Sequence, residues 1–530
     1  MLFTSINFLL LVLITFVLYY TLPKRMQWGI LLIASYIFYF IAGPSFLPFI
    51  AITTVSAYIL GIQISKVQEE QKLYLSENKS SLSKEEKKAY KVANKNKQKK
   101  YMLIAVLINL GILAVLKYTN FVIYNVNEVS KVFGGEGALS FANMIIPLGI
   151  SFYTFQTLSY IMDVYNNRHG AEKNLGKFAL FVSFFPQLVQ GPISRYGDLS
   201  QTLCQEHQWD SKNISFGMQR ILWGYFKKMV IADRALIAVK TLIENPDEYT
   251  GFYVFVGMML YALQLYADFS GGIDITIGIA QIFGIRLKEN FIRPYFSKSI
   301  KEYWNRWHIT MGSWFTDYVF YPVSISKPMR TISKKSRVRL GDKIGKRVPV
   351  YLAAIIVWFT TGIWHGASWN FIVWGLANCA VILVSQELEP LYKRFHDRFD
   401  VNGKTAFRIF QVIRTVLLMS AIRTFDCYRD VPLTFKMFGT MFTEWNMVEV
   451  LSVGIFNLGL SVSDYVVLAI GTLTLLFVSL KQRSAEVRKT LHIKPYIVQY
   501  LIFLGMFLAI MVFGVYGIGF EQSQFIYNQF

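Results

Sequence analysis

Residues 350–386 contain no Asp, Glu, Lys or Arg and a single histidine, His365, within Gly362-Ile-Trp-His-Gly-Ala-Ser-Trp369. Histidine has the ordinary pKa nearest neutrality, so one set in an apolar run is a candidate to take up and pass on a proton. An ionisable side chain at membrane depth is costly and generally faces a cavity or the interior of a bundle. The plainer alternative is a neutral core histidine bonded to a backbone carbonyl. Position alone leaves both open.

A second constellation runs Asn290-Phe-Ile-Arg-Pro-Tyr295 and then Lys301-Glu-Tyr-Trp-Asn-Arg-Trp-His-Ile-Thr-Met-Gly-Ser-Trp314. It mixes aromatic rings with Arg293, Lys298, Lys301, Arg306 and His308. Such a mixture can hold an anionic ligand, with the cations on phosphates and tryptophan stacked on a base. It also describes an interfacial helix anchored by Trp and Lys, the reading these residues favour taken alone. A third cluster, Tyr266-Ala-Asp-Phe-Ser-Gly-Gly-Ile-Asp274, sets Asp268 and Asp274 in an apolar segment. Two acids there imply a polar lumen, a helix cap or an ion path, and the paired glycines suggest a broken helix.

Several chemistries lack their signatures. The chain has no Gly-x-Ser-x-Gly elbow and no His-Glu-x-x-His zinc motif, and Gly341-Asp-Lys-Ile-Gly-Lys-Arg347 departs from a phosphate-binding loop in spacing and last residue. Cys204, Cys379 and Cys427 have no metal-like spacing and, being odd in number, suggest no disulfide framework. No metal site is expected.

The elements that must position these residues are membrane helices. Of 530 residues, 54% are hydrophobic and only 16% charged, against about a quarter in ordinary soluble domains. Apolar runs fall at about 3–22, 27–43, 47–65, 101–121, 142–164, 216–243, 251–285, 350–386, 407–424, 464–480 and 496–519. The first run has no basic residue before it and no small-residue cleavage site after it, so it reads as a retained span. As one straight helix 350–386 would measure about 55 Å against a hydrocarbon core of about 30 Å. Gly362, Gly366 and Ala367 offer a break, which predicts two shorter helices meeting near His365. The fold expected is all-α, a polytopic transmembrane bundle of about 11–13 membrane segments, some broken or re-entrant.

The formal charge of +21 sits between the spans, which fits cytoplasmic loops beside anionic lipid rather than nucleic-acid binding. Lys24 and Arg25 mark one such turn, and eleven lysines in 66–100 mark a second, expected to be a solvated, partly helical loop. Both termini then fall outside. Four regions follow: N-terminal spans at 1–65, the lysine-rich segment at 66–100, a core at 101–425 and C-terminal spans at 426–530.

Five stretches carry a resemblance to a known family. They are Phe155-Gln-Thr-Leu-Ser-Tyr-Ile-Met-Asp-Val-Tyr165, Phe185-Pro-Gln-Leu-Val-Gln-Gly-Pro-Ile-Ser-Arg-Tyr196, Asp268-Phe-Ser-Gly271 continuing to Pro294, Trp304-Asn-Arg-Trp-His-Ile309, and Trp364-His-Gly-Ala-Ser-Trp369. In this order they resemble the membrane-bound O-acyltransferases, in particular the bacterial branch with alginate O-acetyltransferase and the D-alanyl transferase of teichoic acids. The ending Phe525-Ile-Tyr-Asn-Gln-Phe530 is similar to that branch's aromatic tail. The resemblance covers residues 100–385 well and both ends more loosely.

It implies that the bundle surrounds a central tunnel, with His365 as the general base and His308 assisting. Trp304, Asn305, Arg306, Arg293, Asp268, Ser270 and Trp364 become candidates for substrate binding. It further implies no bound cofactor, a cytoplasmic acyl thioester such as acetyl-CoA as donor, and a polysaccharide acceptor outside a bacterial cell membrane. An extracytoplasmic acetyltransferase-like partner is expected. A D-alanyl group on a carrier protein, destined for teichoic acid, is the alternative donor. A transporter would instead use His365, Asp268 and Asp274 as a proton relay; the absence of acids from 350–386 and of a visible internal repeat speaks against it.

Overall fold

The computed structural model describes residues 3–516, apart from 138 and 402. The aromatic ending at 525–530 therefore lies outside the described residues. Among them, regular structure is helical, with one isolated antiparallel bridge between Phe291 and Trp307. Nine helices among the described residues are long and apolar enough to cross a membrane, and Ile6–Thr21 is a shorter apolar helix. Their lipid-compatible sides carry exposed Leu, Ile, Val and Phe, the inverse of a soluble surface. The chain is a multi-pass membrane protein.

It packs as two compact units, residues 1–217 with 279–288 and residues 218–278 with 289–530. In the first unit, Leu47–Glu77 and Lys84–Val132 form a long helical hairpin. The lysine-rich segment is thus more ordered than a partly helical loop: both flanking helices extend through it and only 78–83 turns. Ser83 caps the second helix, accepting from Glu86 N–H while its own N–H donates to the Glu86 carboxylate. The Tyr74 and Tyr90 rings pack across the hairpin at 4.3 Å. The run at 142–164 becomes a 16-residue helix, Ile150–Tyr165, buried along most of its length.

The second unit holds both histidines. Ser211–Tyr225 enters it and continues through a π-helix, Phe226–Ala232, into Asp233–Glu244. The apolar run proposed at 216–243 thus contains buried charges: Arg220, Lys227, Lys228, Asp233 and Arg234. The sequence expectation of a break at Gly271 and Gly272 is not met. Phe252–Ile282 passes through them as one helix. The reason is close packing: a Cβ on Gly271 would stand 2.9 Å from the Gly224 carbonyl oxygen, and one on Gly224 2.6 Å from that of Gly271. Two glycines let two backbones touch, as small residues do between membrane helices.

The expected break in 350–386 is present. Val348–His365 ends at the histidine, and Trp369–Glu387 begins four residues later. The returning helix packs tightly on the first, since a Cβ on Gly375 would lie 2.4 Å from the Trp358 carbonyl oxygen and one on Gly362 2.5 Å from that of Phe371.

A side chain at Gly224 must displace backbone, so Gly224→Val should cost about 1–3 kcal/mol. The thermal midpoint of the detergent-solubilised protein should fall. Gly111→Ala, at a helical glycine with nothing within 4 Å, should leave it unchanged or raised.

Candidate active site

His308 is fully buried at the start of the short helix Ile309–Phe315, in the left-handed region at φ 47°. Two backbone bonds tie its segment to the loop before it: Ile292 N–H to the Arg306 carbonyl and Ile309 N–H to the Asn290 carbonyl, each 3.0 Å. The two halves of the aromatic and basic constellation are thereby brought together. Asn290 is also fully buried, with its amide against the His308 ring: Nδ2 lies 3.1 Å and Oδ1 3.2 Å from Nδ1. Because Oδ1 already accepts from Thr310 N–H and Oγ1–H, at 3.0 and 2.9 Å, the amide nitrogen is the partner that donates to Nδ1. The proton of the neutral ring then sits on Nε2. Burial, aided by the Arg423 guanidinium, pushes the imidazole down to about 3, so it is neutral near pH 7.

His365 is the last residue of its helix and is 6% exposed. Gly366 follows because no side chain fits: a Cβ would meet Phe371 Cδ2 at 2.1 Å. The imidazole stands edge-on to Trp374, with ring centres 4.7 Å apart, and parallel to Phe371 at 6.4 Å. Trp364 lies beside both histidines, 5.0 Å from the His365 ring and 6.1 Å from that of His308. The structure thus joins, through one indole, two histidines that are 57 positions apart in the chain.

Behind them is a cage that the sequence reading missed. Arg423, buried on Thr405–Tyr428, places its guanidinium 4.9 Å from the ring centres of Trp307 and Trp374 and 5.7 Å from that of Trp304. Asp426, one turn on, is 3.8 Å away. The available signal was an Arg and an Asp three residues apart inside an apolar helix.

The other candidates are placed in varied settings. Trp304 packs on Trp358 and Trp374 at 4.9 and 5.9 Å, and Trp364 is central. Asn305 is exposed where Ile300–Trp304 ends, and Arg306 pairs with Glu302 at 2.6 Å. Asp268 is ion-paired with Lys228 at 2.6 Å, both 1% exposed, and Lys228 also reaches Asp233 at 2.8 Å. Lys227 binds Asp274 at 2.6 Å and donates to Ser270 Oγ at 2.8 Å. Arg220 joins Asp274 to Glu289, at 2.8 and 2.5 Å. The two intramembrane acids are therefore bound to cations in place. Arg293 and Ser270 line a cavity of about 1110 Å³ whose wall includes neither His308 nor His365. Phe291, on that wall, packs edge-on to Phe269 at 4.8 Å, and Phe269 packs edge-on to His308 at the same distance.

A polytopic helical membrane protein with two buried histidines joined through tryptophan is the class these features define. Residues 119–337 match the model of the membrane-bound O-acyltransferase family. A probable alginate O-acetylase of Azotobacter vinelandii is 31% identical over 89% of this chain and 84% of its own length. That of Pseudomonas aeruginosa is 35% identical over 71% and 64%. The teichoic acid D-alanyltransferase of Bacillus subtilis is 28% identical over 48% and 62%. The chain belongs to the membrane-bound O-acyltransferase family and is an O-acyltransferase.

Two outcomes follow from the charges. The unfolded chain protonates His308 near 6.5 and the fold holds it neutral down to about 3, so its stabilising share is complete above about 6.5 and is lost as pH falls toward 3. His308→Asn, which tolerates the left-handed backbone but does not titrate, should flatten the fall in thermal midpoint across that window. Asp268→Asn breaks a buried ion pair and should destabilise by about 3–5 kcal/mol in the same melting measurement.

Proposed function

We propose that this protein transfers an acetyl group from acetyl-CoA to a hydroxyl group, with His365 as general base, for O-acylation of an extracellular or cell-wall polysaccharide. The observation that carries the reading is the setting of His365: a buried imidazole at a helix end, fixed between Trp374 and Phe371, with a second histidine across Trp364. In the step proposed, His365 takes the hydroxyl proton as the oxygen attacks the thioester carbonyl. The carbon–sulfur bond then breaks, and the proton passes to the leaving thiolate. The carbonyl-rich end of the helix favours the positive charge held on the ring meanwhile. His308, neutral and carrying its proton on Nε2, is suited to donate to the carbonyl oxygen as negative charge develops there.

Acetyl is preferred to D-alanyl because alginate O-acetylases align over most of this chain, whereas the teichoic acid D-alanyltransferase aligns over 48%. The donor would approach from the side bearing the basic segments and the acceptor from the opposite side, by way of an extracytoplasmic partner transferase.

The test is free-thiol release from acetyl-CoA by detergent-purified protein, with and without the partner, for wild type, His365→Ala and His308→Ala. His365→Ala should lower release by about 10²–10⁴ and His308→Ala by about 10²–10³, with melting midpoints confirming that both fold. Equal release from all three would remove His365 from the chemistry. Release only from a carrier-bound D-alanyl thioester would replace the donor.

A further inference from the structure

The cavity of about 1110 Å³ combines arginine side chains with a long apolar wall, the two parts an amphiphile needs. Its apolar wall comes from Val462–Lys481 and Tyr496–Phe513 and includes Val467, Ile470, Leu475, Phe503 and Met506. From Ser479 back to Val467 that wall runs about 18 Å at 1.5 Å per residue, close to one leaflet's half of a 30 Å core. Arg483 lines the cavity where the two helices are joined, and Arg293 reaches across to bond the Ser479 carbonyl at 3.3 Å.

The carboxylates on the lining are already engaged. Asp274 and Glu289 bind Lys227 and Arg220, and Glu486 binds Lys489 at 2.9 Å. Arg293 and Arg483 lie close enough to act on each other, whereas Arg488 stands among Arg220, Asp274, Glu289 and Glu486. Burial, with Arg306 and Arg483 nearby, holds Arg293 below its ordinary value. Like charges in one place lower each other's hold on a proton, and an anion among them relieves the repulsion. An arginine fork matches a phosphate in geometry as well as charge.

We propose that this cavity binds an anionic phospholipid, its phosphate against Arg293 and Arg483 and an acyl chain along the two helices. The site is distinct from the histidine pair, from which Phe269 and Phe291 separate it. The basic segment at 481–494 belongs to the side that charge distribution assigns to the cytoplasm, where anionic lipid is attracted to such segments. The phosphates of coenzyme A share the chemistry of the headgroup but lack a chain to fill the apolar wall, which favours the lipid.

The test is native mass spectrometry of the delipidated full chain in neutral detergent, titrated with phosphatidylglycerol or phosphatidylcholine of identical chains. Wild type should retain phosphatidylglycerol at about tenfold lower concentration than phosphatidylcholine. Arg483→Gln, at an exposed loop residue suited to substitution, and Arg483→Gln with Arg293→Gln should progressively abolish that preference. Ala509→Trp, on the apolar wall, should weaken retention of both lipids. Equal retention of the two lipids by wild type, an unchanged preference in both arginine variants, or displacement of phosphatidylglycerol by equimolar coenzyme A would each overturn the proposal. The readout is lipid retention, independent of turnover, so the proposed acyl transfer stands or falls separately.

Discussion

Within a bilayer a backbone must satisfy its own hydrogen bonds, and a helix that stops halfway exposes carbonyls with no water to meet them. That constraint acts where Val348–His365 ends and Trp369–Glu387 begins. The break is tolerable because protein covers it. Gly362 and Gly375 bring the two helices to backbone contact, Phe371 lies where a side chain at 366 would be, and Asn370 donates to the Phe425 carbonyl at 3.2 Å. What makes the break stable also fixes the imidazole that ends the first helix. Trp374, one turn into the second helix, holds the His365 ring edge and is held in turn by the Arg423 guanidinium.

The same economy governs the charges of the second unit. Asp268, Asp274, Lys227, Lys228 and Arg220 form two adjoining networks in which each charge has an opposite within 3 Å. Charges buried this deeply persist only when paired, because an isolated ion loses its hydration without return. Their work is to fix how Phe252–Ile282 meets the π-helix. His308 solves the problem differently, by staying neutral and spending its Nδ1 on an asparagine whose oxygen Thr310 has already claimed.

Membrane class and the broken segment around His365 were legible because hydropathy and glycine placement are local properties of the chain, whereas the two histidine motifs were joined only by resemblance to a family. Asp268 and Asp274 were visible as anomalies, but their partners were not. Lys227 and Lys228 lie about 40 positions away, and nothing local pairs them. The glycines at 271 and 272 misled for a related reason: a glycine that loosens its own helix and one that admits a neighbouring backbone look alike until the neighbour, Gly224, is known. The Arg423 cage was hidden because its four tryptophan and arginine positions come from three separate segments.

The π-helix at Phe226–Ala232 has a consequence for how this chain can vary. Its wider turn narrows the angle between successive side chains, so the neighbours Lys227 and Lys228 can each reach an inward carboxylate. Deleting one residue there would restore an ordinary α-helix and remove the extra position that the wider turn accommodates, so that Lys227 and Lys228 could no longer both face their carboxylates. Substitution in this stretch alters one contact; a change of length alters the pairing of both lysines at once. The length of the stretch between 226 and 232, more than the type of any one residue in it, therefore sets which charges this helix turns inward.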